Sequence, residues 1–370
     1  MQARVVHLTT THARDEVRIF HKECKSVVKV GYDVHLIVAD GQGNDEVNGI
    51  KRYSVGLTRG RFQRVFIQPW KIYLLARKLR ASIYHLHEPE LLIIAPILKL
   101  MGAHVVYDSH EDVPRAVLGR DWVNPLLKRL LSFSFELFEN SIVRRISAIV
   151  AATPHIALRF SKINSRTIVI NNFPLLSEIY TPLESSKRSA YICYVGGISR
   201  IRGLFEMMRT LDLVDTKLVL AGPFEDANTK LAVKKISSWS KVNYMGIVSR
   251  NDVYQIMTQA CAGLLLFYPE PNHINAQPNK MFEYMSAGIP VIASDFPLWR
   301  EIIKGVGCGI LVDPLNPEAI ANAIRRVLEN PEEAEEMGQR GRKAVEQIFN
   351  WDVESIKLIN LYKGLLNSTG

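Results

Sequence analysis

The stretch Gln277–Pro297, "QPNKMFEYMSAGIPVIASDFP", sets a short helix directly against a strand. Pro278 suits the first helical turn, where a missing N–H has no intrahelical partner to lose. Gly288 suits the position just past the helix end, where the backbone turns left-handed. Pro290 stops any continuation, and Val291-Ile292-Ala293 reads as a buried parallel strand. A helix feeding a core strand, with its own start held in a loop, is the repeating unit of a doubly wound sheet. In such sheets the loops at the strand carboxyl ends take the ligand, and helix N-termini offer free N–H groups to anions.

The same alternation extends outward. "RVVHLT", "DVHLIVAD", "SIYHLH", "HVVYDSH" and "SAIVAAT" predict strands in the first half, with amphipathic stretches at 15–30 and 91–100 between them. The pattern restarts in "AYICYVGG", "TKLVLAG", "VNYMG", "AGLLLF" and "PVIAS". Two such series, separated by a polar break at 174–188, predict an α/β chain of two doubly wound, Rossmann-like domains facing across a cleft. The expected domains are 1–173 and 174–349, with 350–370 a C-terminal helix anchored by Trp351 and packing back on the N-terminal domain.

Composition sets the class. The 370 residues are 47% hydrophobic and 22% charged, which describes a globular rather than a disordered chain. The net charge is +9, and its distribution is uneven. Between Val47 and His87 there is no Asp or Glu but there are nine basic residues: Lys51, Arg52, Arg59, Arg61, Arg64, Lys71, Arg77, Lys78 and Arg80. A face of that sign attracts nucleic acid, anionic lipid or a phosphorylated substrate. Cys24, Cys193, Cys261 and Cys308 lie far apart with no CxxC pair, which argues against a disulfide framework or a cysteine zinc site and suits a reducing cytosol. The N-terminus lacks a basic patch followed by an apolar signal core, and the apolar run at 91–100 is too short to span a bilayer and carries Pro96 and Lys99.

Polar residues at the predicted strand ends are the site candidates. In "YVGGISRIRG", Gly196 and Gly197 let the backbone approach a ligand, and Arg200 and Arg202 can reach phosphate oxygens; the plainer alternative is a turn with solvated arginines. In "PEPNHINAQPNKMFEYM", Glu283 follows Lys280 by three residues, so the two can pair on a solvated face. Alternatively Glu283 turns into the cleft to accept two vicinal hydroxyls, as a ribose supplies, with Asn275 hydrogen-bonding a second polyhydroxylated group. In the first half, "TTTHARDEVRIF" puts Thr10, Thr11 and His12 at a strand-to-helix turn, with Asp15 and Arg18 spaced for an i,i+3 salt bridge. "YDSHEDVPR" puts His110 and Glu111 immediately after a strand, whereas His87, Glu88 and Glu90 suit structural roles.

These blocks carry a family resemblance. The second half resembles the nucleotide-binding domain of GT-B glycosyltransferases, most like retaining family 4. In that family a glycine-basic loop contacts the donor diphosphate, which implies Arg202 and, less directly, Arg200. A Glu–seven residues–Glu motif ends in a helix similar to "FEYMSAGIPVIAS"; its second Glu, which holds the ribose, falls on Glu283. Two positions depart from the pattern. The motif's first Glu, a donor-sugar contact, falls on Asn275, and an arginine common after the first glycine is replaced by Gly197. The blocks from "HLTTTHARDEV" through "YHLHEPELL" to "VVYDSHEDVPR" resemble bacterial enzymes that build surface polysaccharides. The family's histidine beside the transferred sugar falls on His110.

The resemblance implies a hexosyl- or N-acetylhexosaminyl-transferase acting with retention, by front-face attack, on a nucleotide sugar, UDP-linked by family habit. Arg202, Lys280 and the helix start at Asn279 would stabilise the leaving diphosphate, with Thr11, His12 and Glu111 on the acceptor side. The sequence has no Asp-x-Asp motif, so neither a metal nor a cofactor is expected beyond the donor itself. The expected acceptor is a polyprenyl-diphosphate-linked saccharide of O-antigen, capsule or exopolysaccharide synthesis. Phe62, Phe66, Trp70 and Tyr73 among the arginines, and "NPLLKRLLSFSFELFENSIVRRI", suit an anionic membrane surface and a peripheral position on the cytoplasmic face. Nucleic acid accounts for the charge but not for the two sheets. A UDP-N-acetylglucosamine 2-epimerase-like enzyme and a degenerate nucleotide-binding scaffold are the competing readings.

Overall fold

A computed structural model describes residues 2–118, 124–178 and 189–367. From residue 179 onward, the polar break expected at 174–188 lies outside the described residues. The chain divides into two compact units, one running to Asn172 and including the helix Trp351–Asn367, the other spanning Phe173–Asn350. Both are Rossmann-like α/β units.

The first unit holds strands β1 (Arg4–Leu8), β2 (Asp33–Val38), β3 (Asp45–Val47), β4 (Ile50–Ser54), β5 (Ile83–Leu86), β6 (His104–Ser109), β7 (Ala148–Ala151) and β8 (Thr167–Val169), in spatial order β3-β4-β2-β1-β5-β6-β7-β8. The second holds β9 (Tyr191–Val195), β10 (Lys217–Ala221), β11 (Val242–Gly246), β12 (Ala262–Leu265), β13 (Val291–Ser294) and β14 (Gly309–Val312), in order β11-β10-β9-β12-β13-β14. The central strands are buried on both faces because helices cover both sides, as parallel sheets require, and in the first sheet this burial includes His7 of β1 and His85 of β5. The pairing is parallel throughout except for β3 with β4. That hairpin turns on Asn48 and Gly49, both at positive φ (55° and 75°), a conformation those two residue types tolerate.

The helix of the opening stretch is Asn279–Ser286. Pro278 stands one residue before it, with φ −70° and ψ 129°, rather than inside its first turn. Its extended ψ keeps it out of the helix while its carbonyl accepts the Met281 N–H at 3.0 Å. Gly288 is left-handed at φ 70°, as its position predicts. The helix lies close on the sheet because β12 offers Gly263 there: a Cβ at that position would stand 2.4 Å from the Tyr284 ring. Tyr284 is fully buried, and its hydroxyl donates to the Leu264 carbonyl at 3.3 Å.

In the first unit the expected Asp15–Arg18 bridge does not form. Residues Val17–Cys24 wind as a wider, π-type helix, and Arg18, Lys22 and Glu23 are all buried. Arg18 grips Asp108 in a two-point pair, both contacts 2.9 Å, and donates to the Ile170 carbonyl at 3.0 Å. Asp15 instead pairs with Arg52 at 2.5 Å. Arg52 is itself only 5% exposed and also bonds Asp45, while Arg64 pairs with Glu90. Of the nine basic residues Arg52 is thus spent on buried pairs, whereas Arg64 and Lys51 pair with Glu90 and Asp33 from side chains that remain part-exposed.

The helix Trp351–Asn367 packs on the first unit. Trp351 is 1% exposed and donates from Nε1 to Ser26 at 2.8 Å, and the buried Glu354 accepts from the Asn171 N–H at 2.8 Å. Among the described residues no helix is long and apolar enough to cross a membrane.

Candidate functional site

In the second unit the candidates gather where β9 leaves the sheet. Gly196 follows β9 at φ 146°, and the space a Cβ would fill there is bordered by the Lys280 chain, whose Cε lies 3.5 Å away. A Cβ on Gly197 would stand 2.6 Å from Arg202 Nη1, which donates to the Gly197 carbonyl at 3.0 Å. The guanidinium of Arg202 thus occupies the space that a side chain at 197 would need. It also lies over the Phe267 ring, 5.6 Å from its centre. Arg200 turns elsewhere, over Phe205 at 5.8 Å.

Lys280 and Glu283 form an ion pair, each about a quarter exposed, so the pair is not on a fully solvated face. Arg250, at the start of the helix Arg250–Gln259, approaches the other oxygen of Glu283 at 3.5 Å. Reading the sequence alone missed Arg250, because 33 positions separate the two and no spacing rule joins them. Asn279 is the exposed first residue of its helix. The arrangement provides two fixed cations beside a glycine turn, a carboxylate one helical turn from Lys280, and a helix N-terminus.

Asn275 ends the short helix Pro271–Ile274, and its backbone N–H bonds the His273 carbonyl. Lys280 and Glu283 bond each other, and Glu283 also Arg250, rather than its side chain. The loop after it is pinned by Trp299, whose Nε1 donates to the Ala276 carbonyl at 2.7 Å. Two groups in this loop were not singled out from the sequence. His273 is half-buried, lies tilted against the Phe267 ring with centres 4.9 Å apart, and has its pKa lowered by burial. Gln277 buries its side-chain oxygen without a hydrogen-bond donor. Tyr268 donates to Glu206 at 2.6 Å, and burial together with that bond pushes its phenol up to about 12.

In the first unit the loop after β1 is held by two carboxylates. Glu88 accepts from Thr9 Oγ1, from the Thr10 N–H at 3.0 Å and from Thr11 Oγ1 at 3.0 Å, and Glu90 accepts from Thr10 Oγ1 at 2.6 Å. His12 and His110 are neighbours, their ring centres 5.6 Å apart. His110 Nε2 lies 2.9 Å from Asp108 Oδ2. Burial alone would raise the Asp108 pKa, but the Arg18 guanidinium and His110 hold it well below the usual carboxylate range. Glu111 is exposed, and only its backbone carbonyl is engaged, by Ser109 at 3.1 Å. Thr11, His12 and His110 therefore share one region, and the Glu111 carboxylate is not tied into it.

The Glycosyltransferase Family 4 model matches residues 17–173, and the Glycosyl transferases group 1 model matches residues 178–344. Each half of the chain thus matches a glycosyltransferase family model, and its fold is that of the GT-B glycosyltransferases. A solved structure of Anabaena Alr3699/HepE in complex with UDP-glucose has a TM-score of 0.74 at 14% identity, covering 98% of this chain and 99% of that one. An uncharacterized glycosyltransferase of Methanocaldococcus jannaschii is 29% identical over 189 residues, 48% of this chain and 46% of its own length. The chain thus spans less than half the length of that relative. O-antigen chain mannosyltransferase C of Escherichia coli is 23% identical over 72% of this chain and 70% of its own.

Proposed function

We propose that this GT-B chain is a retaining glycosyltransferase that moves a hexosyl or N-acetylhexosaminyl group from a nucleotide sugar to a lipid-linked saccharide. The observation that carries this reading is the convergence of Gly196-Gly197, Arg202, Lys280 and Glu283 at one end of the second sheet. Glu283 takes the two ribose hydroxyls, exchanging its ion pair with Lys280 for them and freeing the ammonium for the diphosphate. Arg202 and the N–H groups of Asn279 and Lys280 share that negative charge. Asn275 contributes a neutral hydrogen-bonding group towards the donor sugar, and Arg200 remains a peripheral phosphate contact. The relative solved with UDP-glucose supports a uridine nucleotide, and the O-antigen mannosyltransferase supports a surface-polysaccharide acceptor.

In this mechanism the acceptor oxygen bonds the anomeric carbon on the face from which the diphosphate oxygen departs, and the acceptor proton passes to that oxygen. Fixed cations supply the stabilisation, so the step needs no divalent ion at the diphosphate. His110, oriented through Nε2 by Asp108, hydrogen-bonds the transferred sugar, with Thr11 and His12 seating the acceptor. The experiment is acceptor-dependent release of nucleoside diphosphate. Release only with acceptor is the expected outcome; an epimerised sugar without acceptor identifies the epimerase reading, and no turnover with retained nucleotide binding identifies a scaffold. His110→Ala is expected to lower transfer by ~10²-fold while leaving donor affinity within about twofold.

The acceptor side of the reading rests on apolar side chains left in solvent. Phe62, Phe66 and Trp70 are 71%, 58% and 41% exposed at four-residue spacing, and Leu74 continues the stripe. In the helix Pro125–Val143, Leu126, Leu130, Phe133 and Leu137 are each more than 60% exposed, near Lys128 and Arg129. Exposed apolar stripes interleaved with cations suit an anionic lipid surface and a cytoplasmic, peripheral position. The protein is expected to float with phosphatidylglycerol vesicles and to stay behind with phosphatidylcholine vesicles; equal behaviour with both would reject a charge-assisted surface.

A further inference from the structure

Four side chains that the transfer chemistry does not use meet in the core of the first unit. His7 comes from β1, His85 from β5, His87 from the residue just beyond β5, and Glu23 from the π-type turn Val17–Cys24. All four side chains have zero solvent exposure. Three ring nitrogens, Nδ1 of His7, Nδ1 of His85 and Nε2 of His87, stand 3.7, 3.8 and 3.8 Å from a single oxygen, Oε2 of Glu23. Nδ1 of His7 and Nε2 of His87 are 2.9 Å apart. Neither oxygen of Glu23 has a geometrically sound hydrogen bond; Arg18 stands 3.2 Å from Oε1, and the Asp108 carboxylate that Arg18 also holds adjoins Glu23.

A carboxylate removed from water normally gathers short N–H or O–H donors, because leaving it unsatisfied costs several kcal/mol (~1–3 or more). Here three nitrogens surround one oxygen at almost equal distances, each too long for a hydrogen bond to it, while His7 Nδ1 and His87 Nε2 hydrogen-bond each other. That is the spacing of ligands around a shared centre. In a tetrahedral zinc site, bonds of about 2.0–2.1 Å put ligand atoms ~3.3 Å apart. A central water, with neighbours at about 2.8 Å, would spread them to ~4.6 Å. The separations of 2.9–3.8 Å fall around the first value. Imidazole and carboxylate are the ligand types that zinc, cobalt and nickel accept together.

The surroundings match as well. A metal-bound histidine usually directs its other nitrogen to a carboxylate, and Nδ1 of His87 faces Asp108 Oδ2 at 3.5 Å. Arg18 clamps that carboxylate. Tyr362, on the helix Trp351–Asn367, hydrogen-bonds His85 Nδ1 through its hydroxyl at 2.5 Å, so the C-terminal helix reaches the same centre, and a metal bound at that nitrogen would replace this bond. We propose that His7, His85, His87 and Glu23 form a structural transition-metal site of the zinc class in the core of the first unit. The site ties β1, β5 and the inward-turned helix together, lies in a different unit from the donor cluster, and does not depend on the transferase reading.

The test uses the full chain, stripped with a chelator and titrated with Zn2+ and with Co2+. The site predicts one tightly held equivalent, a rise in Tm on Zn2+ addition, and visible Co2+ bands of a four-coordinate nitrogen–oxygen site. Glu23→Gln and His85→Gln should weaken uptake at least ~10-fold, whereas the exposed His155→Gln should leave it unchanged. If either core variant fails to fold, the wild-type Co2+ spectrum still decides. Absence of the four-coordinate bands in wild type, or uptake lowered equally by His155→Gln, overturns the proposal and leaves the cluster as a network around a protonated Glu23.

Discussion

Replacing Arg202 or Lys280 by alanine is expected to lower kcat for sugar transfer by ~10²–10³-fold, the usual cost of one fixed group that stabilises charge developing in a transition state. The departing diphosphate gains negative charge as the glycosidic bond breaks. Arg202 is already held for that task by the Gly197 carbonyl and the Phe267 ring, so little ordering is left for the moment of reaction. Lys280 is paired with Glu283, and the proposed ribose contact at that carboxylate would release it. Arg202→Ala should therefore act mainly on kcat, while Lys280→Ala should also change nucleotide affinity, because it leaves Glu283 with Arg250 as its remaining cation. Steady-state kinetics with both substrates separates the two patterns. A kcat unchanged in both variants would put the diphosphate elsewhere.

The second large effect is on stability. Arg18→Met is expected to destabilise the chain by about 3–5 kcal/mol, because it removes one member of a fully buried ion pair and strands the other. Asp108 would lose both of its 2.9 Å bonds to the guanidinium, and Glu23 would lose its 3.2 Å neighbour. The Ile170 carbonyl also loses its donor. Urea unfolding followed by circular dichroism reads the change as a lower midpoint at constant slope. A loss below ~1 kcal/mol would show that Arg18 is not the support that the geometry makes it.

Much of the architecture was legible because apolar runs such as Val5-Val6 and Val291-Ile292-Ala293 are buried on both faces and have one reading only. Of the edge strands β11, "VNYMG", was legible, whereas β3, β8 and β14, and β4 beside β3, were not: they carry polar or half-exposed residues, and only Asn48-Gly49 signalled the hairpin. Helix spacing also misled at Arg18. The i,i+3 rule assumes ordinary α-helix and a solvated face, and the π-type turn Val17–Cys24 meets neither condition. At the donor site the glycine turn, Lys280 and Glu283 could be named from the chain, since each sits at a strand end or a helix start. Arg250 could not, being brought in by the fold. The histidine cluster had a faint signal in His85-Leu86-His87, whose alternation in a strand points both imidazoles to one face. Cysteine spacing carries no sign of it, because none of its residues is a cysteine.

The central claim is that the second unit holds a nucleotide sugar with its ribose on Glu283. Calorimetric titration of UDP, GDP, ADP and CDP into wild type and Glu283→Ala tests this most directly. Selective binding of UDP, weakened by about 10–100-fold in the variant, is the predicted result, as the loss of hydrogen bonds to a charged group requires. Equal affinity in the two proteins, or no selectivity among the four nucleotides, would contradict it.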